Sequence, residues 1–502
     1  DLANLVRIDL SECLHLKNVP DLSKASKLKW VNLSGCESLC DIHPSVFSID
    51  TLETLTLDGC KNVKSLKSEK HLKSLKEISV IGCTSLKEFS VSSDSIACLD
   101  LSSTGIEMLD SSIGRLTKLR SLYVEGLRHG NLPNELFSLK CLRELRICNC
   151  RLAIEKEKLH MLFDVSSSLR VLHLKDCCNL SELPDNIWGL SKLHELRLDG
   201  SCVKKLPASI KHLKRLNTLS LENCRMLESL PELPPNVIEF IATNCRSLRT
   251  VSISTLADFA LRTGKGINVS LQNCSNLLES PSLHCIMEDA HLATKSIVLK
   301  NMFLNELFRG TNTRIDNYDS LKVCFPGSIV PRQFKYQTTP HSLVIVDLPS
   351  SKSDFAGLTL CAVLLSPSQE MKNLGVGGVK IWCQCYMADG TRLGPATTWH
   401  DEAVIGLNSD HVFMWHDLNH FSSILQIYDS DERRILFEFF VTNDKEERLT
   451  IRTPECGVYL ISESGEEKLT LRSWKLAFIT RFKRKGRIRG QWKRDKKVKE
   501  YV

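Results

Sequence analysis

An α/β solenoid followed by a separate β-rich domain is the architecture the sequence predicts, and three observations predict it. A motif LxxLxLxxC recurs with starts at Leu5, Leu28, Leu52, Leu75, Ile96, Leu119, Leu142, Leu169, Leu193, Leu216 and Val237, at intervals of 21 to 27 residues and mostly 23 or 24. The period is lost after Leu248, and from Leu321 short apolar or alternating runs separated by Pro and Gly replace it. A chain of 502 residues that is 42% hydrophobic has apolar content for two cores and is too long for one. The expected divisions are a solenoid over 1–250, a degenerate repeat, cap and helical connector over 251–320, a β-domain over 321–480 and a basic tail over 481–502.

Period and motif together are those of a leucine-rich repeat, in which LxLxx is a strand and the rest of each coil returns along the convex side. One coil is too small to bury its own apolar side, so the leucines stack between neighbours and leave a parallel sheet on the concave face of a horseshoe. Eleven strands about 4.8 Å apart give an arc on the order of 50 Å, a groove suited to a protein ligand. The return segments Leu132-Pro133, Leu183-Pro184 to Ile187 and Leu206-Pro207 to Ile210 use Pro to end strand pairing. The longest interval, from Leu142 to Leu169, holds a helix-like insertion at Ile154–Leu159.

The ninth motif position is Cys13, Cys36, Cys60, Cys83, Cys150, Cys177, Cys224 and Cys245, with Cys274 in a degenerate further unit. Nine of the 21 cysteines are therefore expected in an inward ladder, as small buried hydrophobes with a weak donor, and a reducing compartment follows. The pairs Cys148/Cys150, Cys177/Cys178 and Cys383/Cys385 are not CxxC, so no metal site is expected.

Motif positions three, five and seven alternate with the buried leucines and face solvent on the concave side. They include Trp30, Asn32, Thr54, Asp58, Glu77, Tyr123, Glu125, Glu144, Arg146, His173, Lys175, Glu195, Arg197, Asp199 and Glu222, mixed in charge with no stripe of one sign. Aromatic and Arg side chains are the usual anchors of protein interfaces, which singles out Trp30, Tyr123, Arg146, His173 and Arg197.

Helix-like stretches at Ser254–Arg262 and Met287–Arg309 precede the second domain. There the runs Leu343–Leu348, Leu358–Leu365, Val379–Tyr386, His411–Trp415, Ile435–Val441 and Glu455–Ile461, with turns such as Asp389-Gly390, predict an antiparallel sandwich or barrel. Cys383 and Cys385 share one strand face and are expected in its core. His400-Asp401-Glu402 and His411 with His416 and Asp417 are polar clusters near loops and strand ends. With no phosphate loop, HExxH or GxSxG motif, the fragment is expected to be no enzyme and to hold no cofactor.

The formal charge is +7, but residues 481–502 carry eleven Lys/Arg against Asp495 and Glu500, a local +9 that leaves the rest at −2. The body is therefore expected to lack a polyanion-binding surface. In the tail, Lys483, Arg484 and Lys485, then Lys493, Arg494, Lys496 and Lys497, form a candidate two-part nuclear import signal, with a solvated extension the equal alternative. No apolar run is long enough to span a bilayer, and the chain starts inside the repeat pattern, which reads as a fragment.

Three stretches resemble plant intracellular immune receptors of the nucleotide-binding leucine-rich-repeat type, in the branch with an N-terminal TIR domain. They are Asp21-Leu-Ser23 with Leu33-Ser-Gly-Cys36-Glu-Ser-Leu39 and His43-Pro-Ser-Val46; Asn273-Cys274-Ser-Asn-Leu277; and Cys324-Phe-Pro-Gly-Ser328 with Val330-Pro331, Phe334, Phe355–Val363, Ser409–Phe413 and Cys456-Gly-Val458. The last set resembles the jelly-roll or immunoglobulin-like domain after the repeats. The resemblance implies a cytoplasmic and also nuclear receptor that binds a pathogen effector protein through its concave face and sandwich loops. It further implies contact with the receptor's own upstream nucleotide-binding domain, homo-oligomerisation on activation, and ADP/ATP and NAD chemistry confined to upstream domains. Effector contacts vary within the family, so the expected contacts are geometric: Tyr123, Arg146, His173, Lys175 and Arg197, with Trp30 and an exposed loop at Trp399-His400. The alternatives are an extracellular repeat receptor or inhibitor, since Asn32-Leu-Ser34 and Asn179-Leu-Ser181 match a glycosylation pattern, and a nuclear protein with a nucleic-acid-binding tail.

Overall fold

The computed structural model describes residues 2–129, 132–151, 155–263, 266–307, 321–338, 342–351, 355–365, 378–399, 404, 406–416, 418–427, 433–449 and 455–461. They form two compact units, Asp1–Thr255 with Cys274–Ser282, and Leu256–Asn273 with Leu283 onward. The segment 251–320 is thereby shared between the two.

In the first unit each motif places one short strand on the concave side, in most of them with a buried apolar centre and flanking residues at least partly exposed. Leu55, for example, is fully buried between half-buried Thr54 and Thr56. The exceptions are the first strand, whose Ile8 is half-buried, and the strands in which His173 and Ser220 are themselves buried. These strands pair in parallel, one per coil, but as two ladders where one was expected. Arg7–Asp9, Trp30–Asn32, Thr54–Thr56 and Glu77–Ser79 form the first. Cys98–Leu101, Ser121–Glu125, Glu144–Cys148, Val171–Lys175, Glu195–Arg197, Thr218–Ser220 and Glu239–Ile241 form the second. The break falls at the unit starting at Ile96, where the ninth position is Thr104. Its hydroxyl donates to the Leu101 carbonyl of its own coil, 2.7 Å away, rather than reaching back to the coil before.

Reaching back is what the ladder cysteines do. The Sγ of Cys36, Cys60, Cys83, Cys224, Cys245 and Cys274 lies 3.0–3.1 Å from the carbonyl of Leu10, Leu33, Leu57, Leu198, Leu221 and Ala242 respectively. Each acceptor is the sixth motif residue of the preceding coil, so the thiol satisfies a carbonyl at the strand's end. Cys177 makes the same contact to Ile147 more loosely, at 3.6 Å. Two positions depart from the expected ladder. Cys13 is exposed, and Cys150 turns to the carbonyl of Cys148 in its own coil. Burial pushes the Cys60 and Cys224 thiols up to about 12 and Cys83 to about 11. Iodoacetamide at neutral pH is therefore expected to modify Cys13, Cys40, Cys141 and Cys178 and to spare Cys36, Cys60, Cys83 and Cys224, read by peptide mass spectrometry of the native protein.

The residue before each ninth motif position carries a left-handed backbone: Gly35, Gly59, Gly82, Gly126 and Gly200 at φ 70–79°, Asn149, Asn223, Asn244 and Asn273 at 57–63°, and Glu12, Ser103 and Asp176 at 53–58°. Gly and Asn tolerate this region best, which is why they recur there. A Cβ at Gly59 would meet nothing closer than 3.8 Å, so Gly59→Ala isolates the backbone term. It is expected to cost about 1–2 kcal/mol, and Gly59→Asn less, in chemical denaturation.

On the convex side the returns run through 3-10 turns, Pro44–Ser48, Ser111–Arg115, Asn134–Ser138, Asp185–Gly189 and Ala208–His212. Proline enters at the cap or first position of four of them, where its missing N–H is not needed. The expected insertion is a helix, Lys156–Val165. A parallel pair, Ser65–His71 with Glu88–Ser92, was not foreseen.

The second unit holds two sheets. One, in the order Tyr336–Thr338, Glu455–Ile461, Gly357–Leu364, His411–His416, Leu321–Pro326, Ile267–Ser270, is antiparallel except for its last, parallel pair. The other, Leu343–Asp347, Arg434–Asn443, Val379–Met387, Arg392–Thr398, is antiparallel throughout. Leu358, Leu360, Phe413 and Trp415 of the first join Ile381, Cys383, Phe437 and Phe439 of the second in one buried cluster. The expected strands form there, and Cys383 and Cys385 are buried. The expectation of strands alone is corrected by a helix, Leu418–Ile427, whose Ile424 enters the cluster. Helices Ser254–Thr263 and Ser282–Leu307 match the helix-like stretches. Among the described residues no helix is long and apolar enough to cross a membrane.

Candidate binding surface

Strand register assembles the expected anchors. Tyr123, Arg146, His173 and Arg197 are directly paired across four adjacent strands, flanked by Asp100 on one side and Ser220 on the other. At strand spacing of about 4.8 Å this is one continuous row. Lys175 stands two residues further along its strand. Trp30 belongs to the other ladder and lies half-buried, with the Arg7 guanidinium 3.6 Å from its ring centre.

The row is stitched by carboxylates from its own face. The Tyr123 hydroxyl donates to Glu144 at 2.6 Å, and Arg146 stands 3.8 Å from the same carboxylate and 5.0 Å over the Tyr123 ring. Glu195 accepts from Arg197 Nε at 2.5 Å and meets His173 Nε2 at 3.0 Å. Lys175 pairs with Asp199 at 3.2 Å, and Asp199 also accepts from the Ser220 hydroxyl and the Glu222 N–H. Burial holds the His173 imidazole below its usual value; Glu195 opposes this, while Arg146 and Arg197 reinforce it. Against the cost of its own burial, Glu195 is held below the ordinary carboxylate range by Arg197 and His173. The result is a fixed polar surface, its side chains ordered before any partner arrives.

Charge on this face is mixed, as expected, but weighted to one sign. The outward positions carry ten carboxylates, Asp9, Asp58, Glu77, Asp100, Glu125, Glu144, Glu195, Asp199, Glu222 and Glu239, against Arg7, Arg146, Lys175 and Arg197. Each of the four cations is paired with one of those carboxylates. The concave floor is therefore acidic.

The expected contact at Trp399 is corrected. Its ring is only 7% exposed, packs edge-on to Phe413 at 5.0 Å and belongs to the apolar cluster of the second unit. His400, and the tail residues Lys483, Arg484, Lys485, Lys493, Arg494, Lys496 and Lys497, lie outside the described residues. Asn32, the first glycosylation-pattern residue, is committed to its neighbours: its amide donates to Asp9 and accepts from the Thr56 hydroxyl and the Ser34 N–H. Among the described residues no cluster of His, Cys, Asp and Glu is arranged to hold a metal.

Sequence reasoning did not connect Asn273 with His411. In the second unit the Asn273 N–H donates to His411 Nε2 at 2.8 Å, its side chain donates to the Gly406 carbonyl, and its Oδ1 accepts from the Asn408 N–H. Both residues are buried, and both stand in motifs that carried the family resemblance.

A solenoid of this kind, with an ordered polar row on a parallel sheet, defines the leucine-rich-repeat class of scaffold. The comparisons are specific within it. No protein-family model matches the chain. The disease resistance-like protein DSC1 of Arabidopsis thaliana is 27% identical over 92% of this chain and 42% of its own length. The disease resistance proteins RPS4B and RPP5 of the same plant are 26% and 27% identical over 92% and 95% of the chain, and 37% and 32% of theirs. The crystal structure of a TDR receptor aligns over 54% of this chain and 48% of its own, with 18% identity and a TM-score of 0.36. The resemblance drawn from the motifs is thus borne out: the chain is a relative of plant disease-resistance proteins, spanning less than half of their length.

Proposed function

We propose that the chain is the ligand-sensing region of an intracellular plant immune receptor, and that its concave face binds a pathogen effector protein. The observation that carries this reading is the row Tyr123, Arg146, His173, Arg197, in which Tyr123 and the two guanidiniums are partly exposed and His173 is buried between them, held in place by Glu144 and Glu195 on coils two apart. Preordering of this kind lowers the entropy lost on binding. The relatives' role in disease resistance supports it. On this reading the second unit is a jelly-roll or immunoglobulin-like sandwich whose loops add to the ligand surface. The receptor's own nucleotide-binding domain is a further partner, activation proceeds by homo-oligomerisation, and ADP/ATP and NAD act in other domains. The receptor works in the cytoplasm and enters the nucleus through the tail signal.

The test pairs the whole receptor in leaf tissue with candidate effectors, followed by pulldown of each trigger on the chain. A trigger retained by the wild type and lost from a folded Tyr123→Ala, His173→Ala variant supports the reading. Equal retention by both overturns it.

A further inference from the structure

The near-neutral body hides a second charged surface. The residue after the first motif leucine lies at the start of each concave strand, and its backbone N–H reaches the equivalent carbonyl of the coil before: Arg120 to Ala97, Arg143 to Arg120, Arg170 to Arg143 and His194 to Arg170, all at 2.7–2.8 Å. Arg120, Arg143 and Arg170 therefore stand on three consecutive coils, about 4.8 Å apart, and all three are exposed. The two positions preceding the motif add Lys118, Lys140, Lys192, Lys214 and Arg215, also exposed. The Lys140 carbonyl accepts from Ser168 and that of Lys214 from Asn236, so these positions stack coil on coil as well. Over five coils, about 20 Å of solenoid, this rim holds eight cations and no carboxylate. Asp94, one coil back on the same rim, is held below the usual carboxylate range by the Thr117 hydroxyl, His71 and Lys118, and Lys29 and Lys76 further back are paired with Glu53, whereas none of the other seven of these eight cations has an ion-pair partner among the described residues. The small net charge of the body thus sums two signs that are set apart, basic on the rim and acidic on the floor.

We propose that this rim is a docking surface for an acidic ridge on a protein partner. Side chains spaced by one coil match carboxylates presented every second residue of an extended segment, about 6.6 Å apart, to within the reach of Arg and Lys. Two features select a protein over other polyanions. The non-basic positions between the cations are Thr117, Cys141, Ser167, Ser168, Ser191 and Asn217, with His194, which offer no aromatic platform of Phe, Tyr or Trp for bases of a single strand. Beside the stripe runs the acidic floor, Glu125, Glu144, Glu195, Glu222 and Glu239, which repels a duplex or lipid surface broad enough to cover both. A protein ridge is narrow and carries its own charge pattern. The rim differs from the face assigned to effector binding, so the two readings fail separately.

The probe is poly-L-glutamate, with duplex DNA and phosphatidylserine vesicles as competitors, titrated against the full chain at moderate salt. Arg120→Gln with Arg143→Gln and Arg170→Gln is compared with Lys483→Gln, Arg484→Gln and Lys485→Gln in the tail, an equal change of charge. The rim variant is expected to bind the polypeptide about tenfold more weakly, and the tail variant less than threefold. Equal losses in both variants, or tighter binding of DNA or vesicles through the rim, overturn the proposal. All three arginines are exposed, so the rim variant is expected to keep the wild-type melting temperature.

Discussion

Reversing Arg146 and Arg197 together, as Arg146→Glu with Arg197→Glu, is expected to weaken effector binding about a hundredfold and to abolish the triggered response. The two guanidiniums do more than offer positive charge. Arg146 lies over Tyr123 and beside Glu144, and Arg197 fixes the carboxylate that also holds His173. A carboxylate at 146 would face Glu144, one at 197 would face Glu195, and Tyr123 and His173 would lose their orienting partners at the same stroke. Like charges at this distance repel, and disruption of central aromatic and Arg anchors accounts for losses of several kcal/mol at protein interfaces. Stability is expected to fall much less, about 1–2 kcal/mol, because the leucines beneath are untouched and the pairs are partly exposed. Titration calorimetry on a trigger, beside denaturant curves for both proteins, checks this. Binding unchanged in a folded double variant would remove the concave row from the interface, and binding lost only in proportion to unfolding would make the row structural.

The sequence made the coils legible because one physical requirement repeats: a leucine at each strand centre, a turn residue tolerant of positive φ, and a thiol reaching the coil before. Thr104 stands at the ninth position of the coil where the ladders break, but Leu127 and Ser201 fill the same position inside the unbroken second ladder, so that position alone does not report the break. Charge was less legible because it was summed along the chain. The same residues taken one per coil separate into a basic rim and an acidic floor, a periodic signal that net charge averages away. Trp399 was read as part of an exposed loop, whereas it follows the strand Arg392–Thr398 directly and turns onto Phe413. The helix Leu418–Ile427 escaped because its ten residues, with Ser422-Ser423 at the centre, are no longer than the strand Arg434–Asn443 that follows it, so length did not set it apart. Pairing of Asn273 with His411 spans 138 residues, a separation no local pattern reports.

That buried pair makes the second unit acid-sensitive in a defined window. His411 Nδ1 lies 2.7 Å from the Ser409 carbonyl and donates to it, which leaves Nε2 as the acceptor for the Asn273 N–H. Only the neutral ring satisfies both contacts, since a proton on Nε2 would confront a donor with a donor. Burial accordingly lowers the imidazole to about 4 from 6.5, with the Ser409 carbonyl and Asp410 pulling weakly the other way. Above pH 6.5 neither the folded nor the unfolded chain binds this proton, and the full contribution is present. Between 6.5 and about 4 the unfolded chain takes up the proton and the folded chain does not, so stability drains as the pH falls and levels off below 4. The loss across the window is expected to be about 3 kcal/mol. Denaturant midpoints of the second unit's transition, measured from pH 7.5 to 4, should show it, and His411→Gln should reduce the slope by about one proton while starting from a lower plateau. A parallel slope in the variant would assign the acid sensitivity to other groups and leave the Asn273–His411 pair a purely structural hydrogen bond.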